Sequence, residues 1–188
     1  MVDVSRNAII RQVPAPDGGL HVTDCPGDEP ALVLMLGFPD DCRIYNRLVP
    51  LLSPRRAVTF DFLGYGRSDR AQPRALSRAD HVRQLGAVLD ALGIQTAVLI
   101  TLPAIRAWTT ALFGDLDDQD GQARRELTAL DLPVALVFGA LDRYLSPDLV
   151  SHLAGLFPKE VLHLIDGASH WPQWDQPQAV SEVIRCAP

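Results

Sequence analysis

Short runs of β-branched and aliphatic residues alternate along the chain with segments whose apolar residues recur at helical spacing. Runs of this length between turn residues are typical of β-strands. The predicted strands are Asn7–Val13, Leu20–Asp24, Ala31–Leu36, Arg56–Phe60, Thr96–Ile100, Val134–Phe138 and Val161–Ile165. The later runs are apolar on both faces, which indicates parallel strands covered by helices on each side.

The segments between the later strands carry recognisable helix ends. Ser77 and Asp80 have the spacing of a capping box, Gly93 ends that segment, and proline takes the first helical position at Pro147 and Pro177. The apolar stripe of the first helix is formed by Val82, Leu85, Val88, Leu89 and Leu92. Two antiparallel-looking strands followed by strand–helix repeats predict an α/β fold, with a mainly parallel, doubly wound sheet and antiparallel N-terminal strands.

The composition suits one compact domain over residues 1–188, because 47% of the residues are hydrophobic and only 21% are charged. The formal net charge is −6, and no long run of like charge occurs. The sequence therefore predicts binding to neither nucleic acid nor a membrane surface, and the expected partner is a small molecule.

The cysteines and the N-terminal residues bear on the cellular compartment in which the protein is expected. Cys25, Cys42 and Cys186 lack the spacing of a metal site and are odd in number, which favours free thiols in a reducing environment. No stretch approaches the length of a membrane span, and the first residues lack the pattern of a secretory leader. We therefore expect a cytoplasmic protein, and nothing in the sequence indicates a metal or a cofactor.

The loops after the predicted strands form the candidate site, because ligands of open parallel sheets bind beyond the carboxyl ends of the strands. Four such loops read "GFPDD", "DFLGYGRSD", "GALDRYLSP" and "DGASHWPQW", and we expect them to meet at one rim. The last loop contains His170 and the one before it contains Asp142. A carboxylate at a neighbouring strand end can orient an imidazole and stabilise its charged form.

In chain order, "LGFPDDCRIYNRLVPLL", "FDFLGYGRSD", "GALDRYLSP" and "GASHWPQWDQP" resemble motifs of the α/β-hydrolase superfamily, especially its haloalkane dehalogenase and epoxide hydrolase branch. The resemblance covers nearly the whole chain apart from about Leu102–Leu130. It implies that His170 is the general base and Asp142 the acid that holds its ring. It also implies that the backbone N–H of Phe38 polarises an oxyanion. The candidates for the lining of the pocket are Leu36 and Trp171.

The nucleophile of that superfamily is missing. In its members the fifth strand runs into a sharp turn of G-x-S-x-G or G-x-D-x-G type. Here Ile100 is followed by "TLP", so the usual covalent step has no attacking group. Ile100 and Val134 are also too close together to hold a further strand and a full cap. The chain therefore resembles a hydrolase with an internal deletion of the nucleophile elbow, the sixth strand and most of the cap. We interpret residues 102–130 as a shortened cap remnant or a crossover.

Three other side chains could attack a substrate, and we interpret each of them as structural. Thr101 lacks the geometry of an elbow, and Cys42 is expected to be a buried small apolar side chain. Asp61 belongs to a loop that the superfamily uses structurally. The tight turns and the anchor of that loop are assigned to Gly64, Gly66 and either Asp69 or Arg67.

The sequence favours a weak or repurposed hydrolase that acts on a small ester, lactone or epoxide through a His–Asp general base. Two alternatives stay open: a non-hydrolytic isomerase or cyclase using the same histidine, and a non-catalytic small-molecule-binding or scaffold protein. Loss of the sixth strand predicts either that Thr96–Ile100 pairs directly with Val134–Phe138, or that an exposed sheet edge joins two copies in a homodimer.

Overall fold

The computed structural model describes residues 8–35, 40–70, 78–101, 134–145, 150 and 160–186. The chain forms two compact units, Met1–Ala104 and Ile105–Pro188. The expectation of one domain over the whole chain stays a prediction. The segment interpreted as a cap remnant or crossover, residues 102–130, lies outside the described residues.

The first unit is built on a five-stranded mixed sheet. Its strands are β1 (Ile9–Ala15), β2 (Gly18–Cys25), β3 (Asp28–Met35), β4 (Arg55–Phe60) and β5 (Ala97–Thr101). They lie in the order β1-β2-β4-β3-β5. β2 is antiparallel to both β1 and β4, whereas β3 is parallel to β4 and β5. The predicted α/β class with antiparallel N-terminal strands is confirmed.

The helix α1 (Arg78–Ala91) packs against β1 and β2. Its Val88 is fully buried, and Leu85, Leu89 and Leu92 pack against the same core. The core of this unit consists of Val13, Leu20, Val22, Ala31, Val33, Val58, Phe60, Phe62, Leu63, Val88 and Ile94. The predicted apolar stripe is wrong at its first member, because Val82 is 68% exposed.

The end of α1 agrees with the predicted role of Gly93. Gly93 has a φ of 64°, and the N–H of Ile94 donates to the carbonyl oxygen of Leu89 at 2.9 Å. This is the left-handed glycine closure that commonly ends a helix.

The segment that precedes β4 contains two 3₁₀ helices, Cys42–Tyr45 and Val49–Leu51. Pro50 lies within the second of them and removes a backbone donor, which disfavours a continuous α-helix at this point.

Among the helices that the structure describes, none is both long enough and apolar enough to cross a bilayer.

The second unit contains the parallel strands β6 (Val134–Gly139) and β7 (Glu160–Ile165). The short helix α2 (Pro172–Asp175) packs against β6, and α3 (Pro177–Cys186) packs against β7. Both helices begin with proline, as expected for a residue that has no N–H to leave unpaired. Because Gly139 and Ile165 are register partners at the carboxyl ends of the strands, the loops that follow them begin side by side.

The two predicted outcomes of a lost sixth strand stay open. Within the described part of the chain, the strand partner of β5 is β3 and that of β6 is β7. A homodimer through a sheet edge therefore stays a prediction.

Candidate active site

In the first unit, Asp61 joins the loop after β4 to the start of the 3₁₀ helix at Cys42. Its carboxylate is fully buried and accepts the backbone N–H groups of Cys42 at 2.7 Å and Arg67 at 2.9 Å. Gly66 has a φ of 48°, and a Cβ built there would overlap the carboxylate of Asp61. These contacts give Asp61 a structural role, in agreement with the interpretation from the sequence.

Asp69 anchors the same loop to β2. Its Oδ2 accepts the N–H of Gly19 at 2.7 Å, and its own N–H donates to the carbonyl oxygen of Gly19 at 2.9 Å. The N–H of Gly64 donates to the carbonyl oxygen of Asp69 at 2.8 Å, and Gly64 has a φ of 84°. The loop is therefore closed by hydrogen bonds of Asp69, one of the two anchors that the sequence offered.

The thiol of Cys42 is a poor candidate for a nucleophile. Burial, together with the negative charge of Asp61, raises the pKa of the Cys42 thiol to about 12. Because the thiolate is the attacking species, such a thiol is almost entirely unreactive near neutral pH.

Two predicted site residues, Leu36 and Phe38, lie outside the described residues.

In the second unit, two loop–loop hydrogen bonds hold together the segments that follow β6 and β7. The N–H of Ala140 donates to the carbonyl oxygen of Ile165 at 3.0 Å, and the N–H of Leu141 donates to that of Ala168 at 2.9 Å. Gly139 makes this approach possible, because a Cβ built on it would overlap the carbonyl oxygens of Ala168 and Ser169. Sequence reasoning missed the role of Gly139.

These loops bring His170 and Asp142 together. Nδ1 of His170 lies 2.8 Å from Oδ2 of Asp142, and the two side chains are only 2% and 5% exposed. The other carboxylate oxygen, Oδ1, accepts the N–H groups of Tyr144 at 2.7 Å and Leu145 at 3.1 Å. Asp142 thus uses one oxygen to fix its own loop and the other to hold the imidazole. The catalytic roles of both residues stay predictions at this point.

The fold of this chain matches solved α/β-hydrolase structures. The chain superposes on carboxylesterase CesB from Bacillus subtilis with a TM-score of 0.76, covering 95% of this chain and 90% of that one at 17% identity. The chain has the α/β-hydrolase fold. A mixed sheet with antiparallel N-terminal strands and a His–Asp pair at the carboxyl ends of parallel strands agrees with that assignment.

Two curated relatives match about half of this α/β-hydrolase-fold chain. LipZ of Mycobacterium tuberculosis (strain CDC 1551 / Oshkosh) is 30% identical over 108 residues, which are 57% of this chain and 38% of LipZ. A haloalkane dehalogenase of Mesorhizobium japonicum is 32% identical over 103 residues, which are 54% of this chain and 31% of that enzyme. The matched segment thus spans about a third of each relative's length. No protein-family model matches the chain.

Aromatic rings flank the imidazole in this α/β-hydrolase-fold chain. The ring of Trp171, a predicted pocket residue, lies edge-on to His170 with centroids 5.2 Å apart. The ring of Tyr144 lies edge-on to His170 at 5.1 Å and to Trp171 at 6.5 Å. Sequence reasoning missed Tyr144. The available signal was its position two residues after the predicted acid.

The loop of His170 is closed on itself by Asp175. Oδ2 of Asp175 accepts the N–H of Ser169 at 2.8 Å and the hydroxyl of Ser169 at 2.5 Å. The N–H of Asp175 donates to the carbonyl oxygen of Trp171 at 3.0 Å. The backbone is therefore held on both sides of His170.

Among the residues that the structure describes, no group of three or more His, Cys, Asp or Glu side chains could hold a metal ion.

Proposed function

We propose that this chain hydrolyses a small ester, lactone or epoxide, with His170 as a general base that Asp142 orients. The observation that carries the proposal is the 2.8 Å contact between Nδ1 of His170 and Oδ2 of Asp142, made by two buried side chains at the carboxyl ends of parallel strands. The α/β-hydrolase fold supports hydrolytic chemistry at this place.

The contact selects one tautomer of the imidazole. A carboxylate only accepts hydrogen bonds, so the proton of neutral His170 is held at Nδ1, which donates to Asp142. The lone pair is then at Nε2, and this nitrogen is the base. Because Tyr144 and Leu145 fix the other oxygen of Asp142, the carboxylate cannot rotate away without losing two hydrogen bonds.

The proposed reaction needs no covalent intermediate. Nε2 of His170 removes a proton from water while the water oxygen forms a bond to the acyl carbon. The imidazolium that forms is stabilised by the buried carboxylate of Asp142. The acyl–oxygen bond then breaks, and the proton passes from Nε2 to the leaving alkoxide. A role for the backbone N–H of Phe38 in polarising the carbonyl oxygen stays a prediction from the sequence, because Phe38 lies outside the described residues.

The expected acceleration is modest. General-base catalysis accelerates a reaction by about 10²- to 10⁴-fold. We therefore expect this chain to hydrolyse its substrate faster than water alone does, but more slowly than a hydrolase with an intact nucleophile. The curated relatives include a haloalkane dehalogenase, but this chain matches only 31% of its length. Dehalogenation is therefore not part of the proposal.

The test compares the parent with His170→Ala and His163→Ala on 4-nitrophenyl acetate. His163 is a half-buried histidine of β7, and its replacement controls for the background reaction that any imidazole gives with this ester. We expect kcat/KM to fall about 10²-fold or more in His170→Ala. The His163→Ala variant should keep the parent value. Circular dichroism before each assay checks that both variants are folded.

Equal rates in the parent and His170→Ala would show that His170 does not catalyse hydrolysis of this ester. The same comparison is then made with a lactone and with an epoxide. A chain in which His170→Ala changes none of the three reactions is not a general-base hydrolase of these substrates.

A further inference from the structure

We infer that Tyr144 is a specificity-determining residue, and that it gives the site a preference for substrates with an aromatic ring next to the reacting group. This inference rests on the proposed function, because it names the substrate class of the same site. The ring of Tyr144 lies beside the base and is open to solvent, and the backbone of Tyr144 is bonded to the acid.

The backbone of Tyr144 is held by Asp142. The backbone N–H of Tyr144 donates to Oδ1 of Asp142 at 2.7 Å. The other oxygen of the same carboxylate, Oδ2, faces His170. The side chain of Tyr144 therefore starts from a backbone position that is fixed relative to the base. Its ring centroid lies 5.1 Å from that of His170, with the two planes at 69°.

The exposure of Tyr144 contrasts with the burial of the pair beside it. Tyr144 is 63% exposed, whereas His170 is 4% exposed. Leu141, on the same loop, is 61% exposed. Single exposed apolar residues are common on protein surfaces. Tyr144 differs from them because its ring packs edge-on against both the imidazole of His170 and the ring of Trp171.

The geometry favours an aromatic partner over an aliphatic one. Rings that pack edge-to-face or offset gain interaction beyond the area they bury, and each such pair contributes about 2- to 12-fold in affinity. A cyclohexyl group buries similar area but has no ring quadrupole. The predicted preference therefore compares two ligands of similar size that differ in the π-system.

The experiment measures binding without turnover. Acetophenone and cyclohexyl methyl ketone are each titrated into the parent chain, and the dissociation constants are read from the imidazole proton resonances of His170. Both probes are uncharged ketones that water does not cleave. The variants are Tyr144→Leu, which keeps apolar area but no π-system, and Tyr144→Phe, which keeps the ring. Leu164→Ala is the control, because Leu164 is a similarly exposed apolar residue of β7, at 59%.

We expect the parent, Tyr144→Phe and Leu164→Ala to bind acetophenone about 2- to 12-fold more tightly than the cyclohexyl ketone. We expect Tyr144→Leu to bind the two ketones equally. Equal binding of both ketones by the parent, or the same preference in Tyr144→Leu, would overturn the inference. A preference that depends on Tyr144, in a chain whose His170→Ala variant hydrolyses esters at the parent rate, would support the aromatic subsite and remove the proposed hydrolysis.

Discussion

A methyl group added at Gly139 is expected to force apart the two loops that carry Asp142 and His170. Gly139 is the last residue of β6, and the chain after β7 passes directly over it. A Cβ built on Gly139 lies 2.6 Å from the carbonyl carbon of Ala168, where ordinary van der Waals contact begins at 3.4 Å. It also overlaps the carbonyl oxygens of Ala168 and Ser169. All of these atoms are backbone, so no side chain can rotate to relieve the contact.

The size of the effect follows from this geometry. The loop before His170 must retreat by about 1 Å, which strains or breaks the hydrogen bonds from Ala140 to Ile165 and from Leu141 to Ala168. Overpacking costs about 1–3 kcal/mol, and each lost hydrogen bond about 0.5–1.5 kcal/mol. We expect the free energy of unfolding to fall by about 2–6 kcal/mol. A shift of about 1 Å in a catalytic group also lowers kcat by about 10²-fold.

The assay combines urea unfolding with ester hydrolysis, and Gly86→Ala is the matched control. Gly86 lies inside α1, and a Cβ built there meets no atom within 4 Å. Alanine at this helical position should raise the free energy of unfolding by about 1 kcal/mol and leave the rate unchanged. If Gly139→Ala unfolds at the same urea concentration as the parent and hydrolyses esters at the same rate, the close approach of the two loops is wrong.

Two further predictions concern the first unit. Asp61→Asn should lower the free energy of unfolding by about 2–4 kcal/mol, because Cys42 and Arg67 donate to different oxygens of Asp61 and an amide keeps only one of them. The control Asp90→Asn, at an exposed position, should change the free energy little in the same urea titration. Burial and Asp61 raise the pKa of Cys42 to about 12, so iodoacetamide at pH 8 should label the exposed Cys186 and spare Cys42 until the pH approaches that value. Mass spectrometry that finds Cys42 labelled in the folded chain would contradict this.

The strands could be predicted because burial on both faces leaves a continuous apolar run in the sequence. In β3, Ala31, Leu32, Val33 and Leu34 are each no more than 1% exposed. The exact ends depend on pairing partners that lie elsewhere in the chain. β1 continues to Ala15 because Pro14 and Ala15 are register partners of Gly19 and Gly18. Periodicity could not indicate that extension.

The His–Asp contact could be anticipated because parallel strands bring their carboxyl ends to one edge. The aromatic ring beside it was missed, because Tyr144 is an exposed loop residue without a periodic pattern, and its nearness in sequence to Asp142 was the one signal. The role of Gly139 could not be predicted either. A glycine is required there because the backbone of Ala168 and Ser169 passes too close for a Cβ, and the sequence does not show that approach. The burial of Val82 was predicted wrongly for a related reason. Helical spacing shows which residues share a face, but not how far along the helix the sheet covers that face.

The central claim is that Asp142 and His170 act together as one base, and Asp142→Asn tests it most directly. The remaining carboxamide oxygen can still accept the N–H groups of Tyr144 and Leu145, so the loop should keep its conformation. Its NH₂ group then faces Nδ1 of His170, which places the imidazole proton at Nε2 and removes the basic lone pair.

The measurement is kcat/KM for 4-nitrophenyl acetate in the parent and in Asp142→Asn, at one fixed pH near neutrality, with circular dichroism to check that the variant is folded. We predict a rate about 10²- to 10⁴-fold lower in the variant than in the parent. A folded Asp142→Asn variant that hydrolyses the ester at the parent's rate would contradict the joint action of Asp142 and His170.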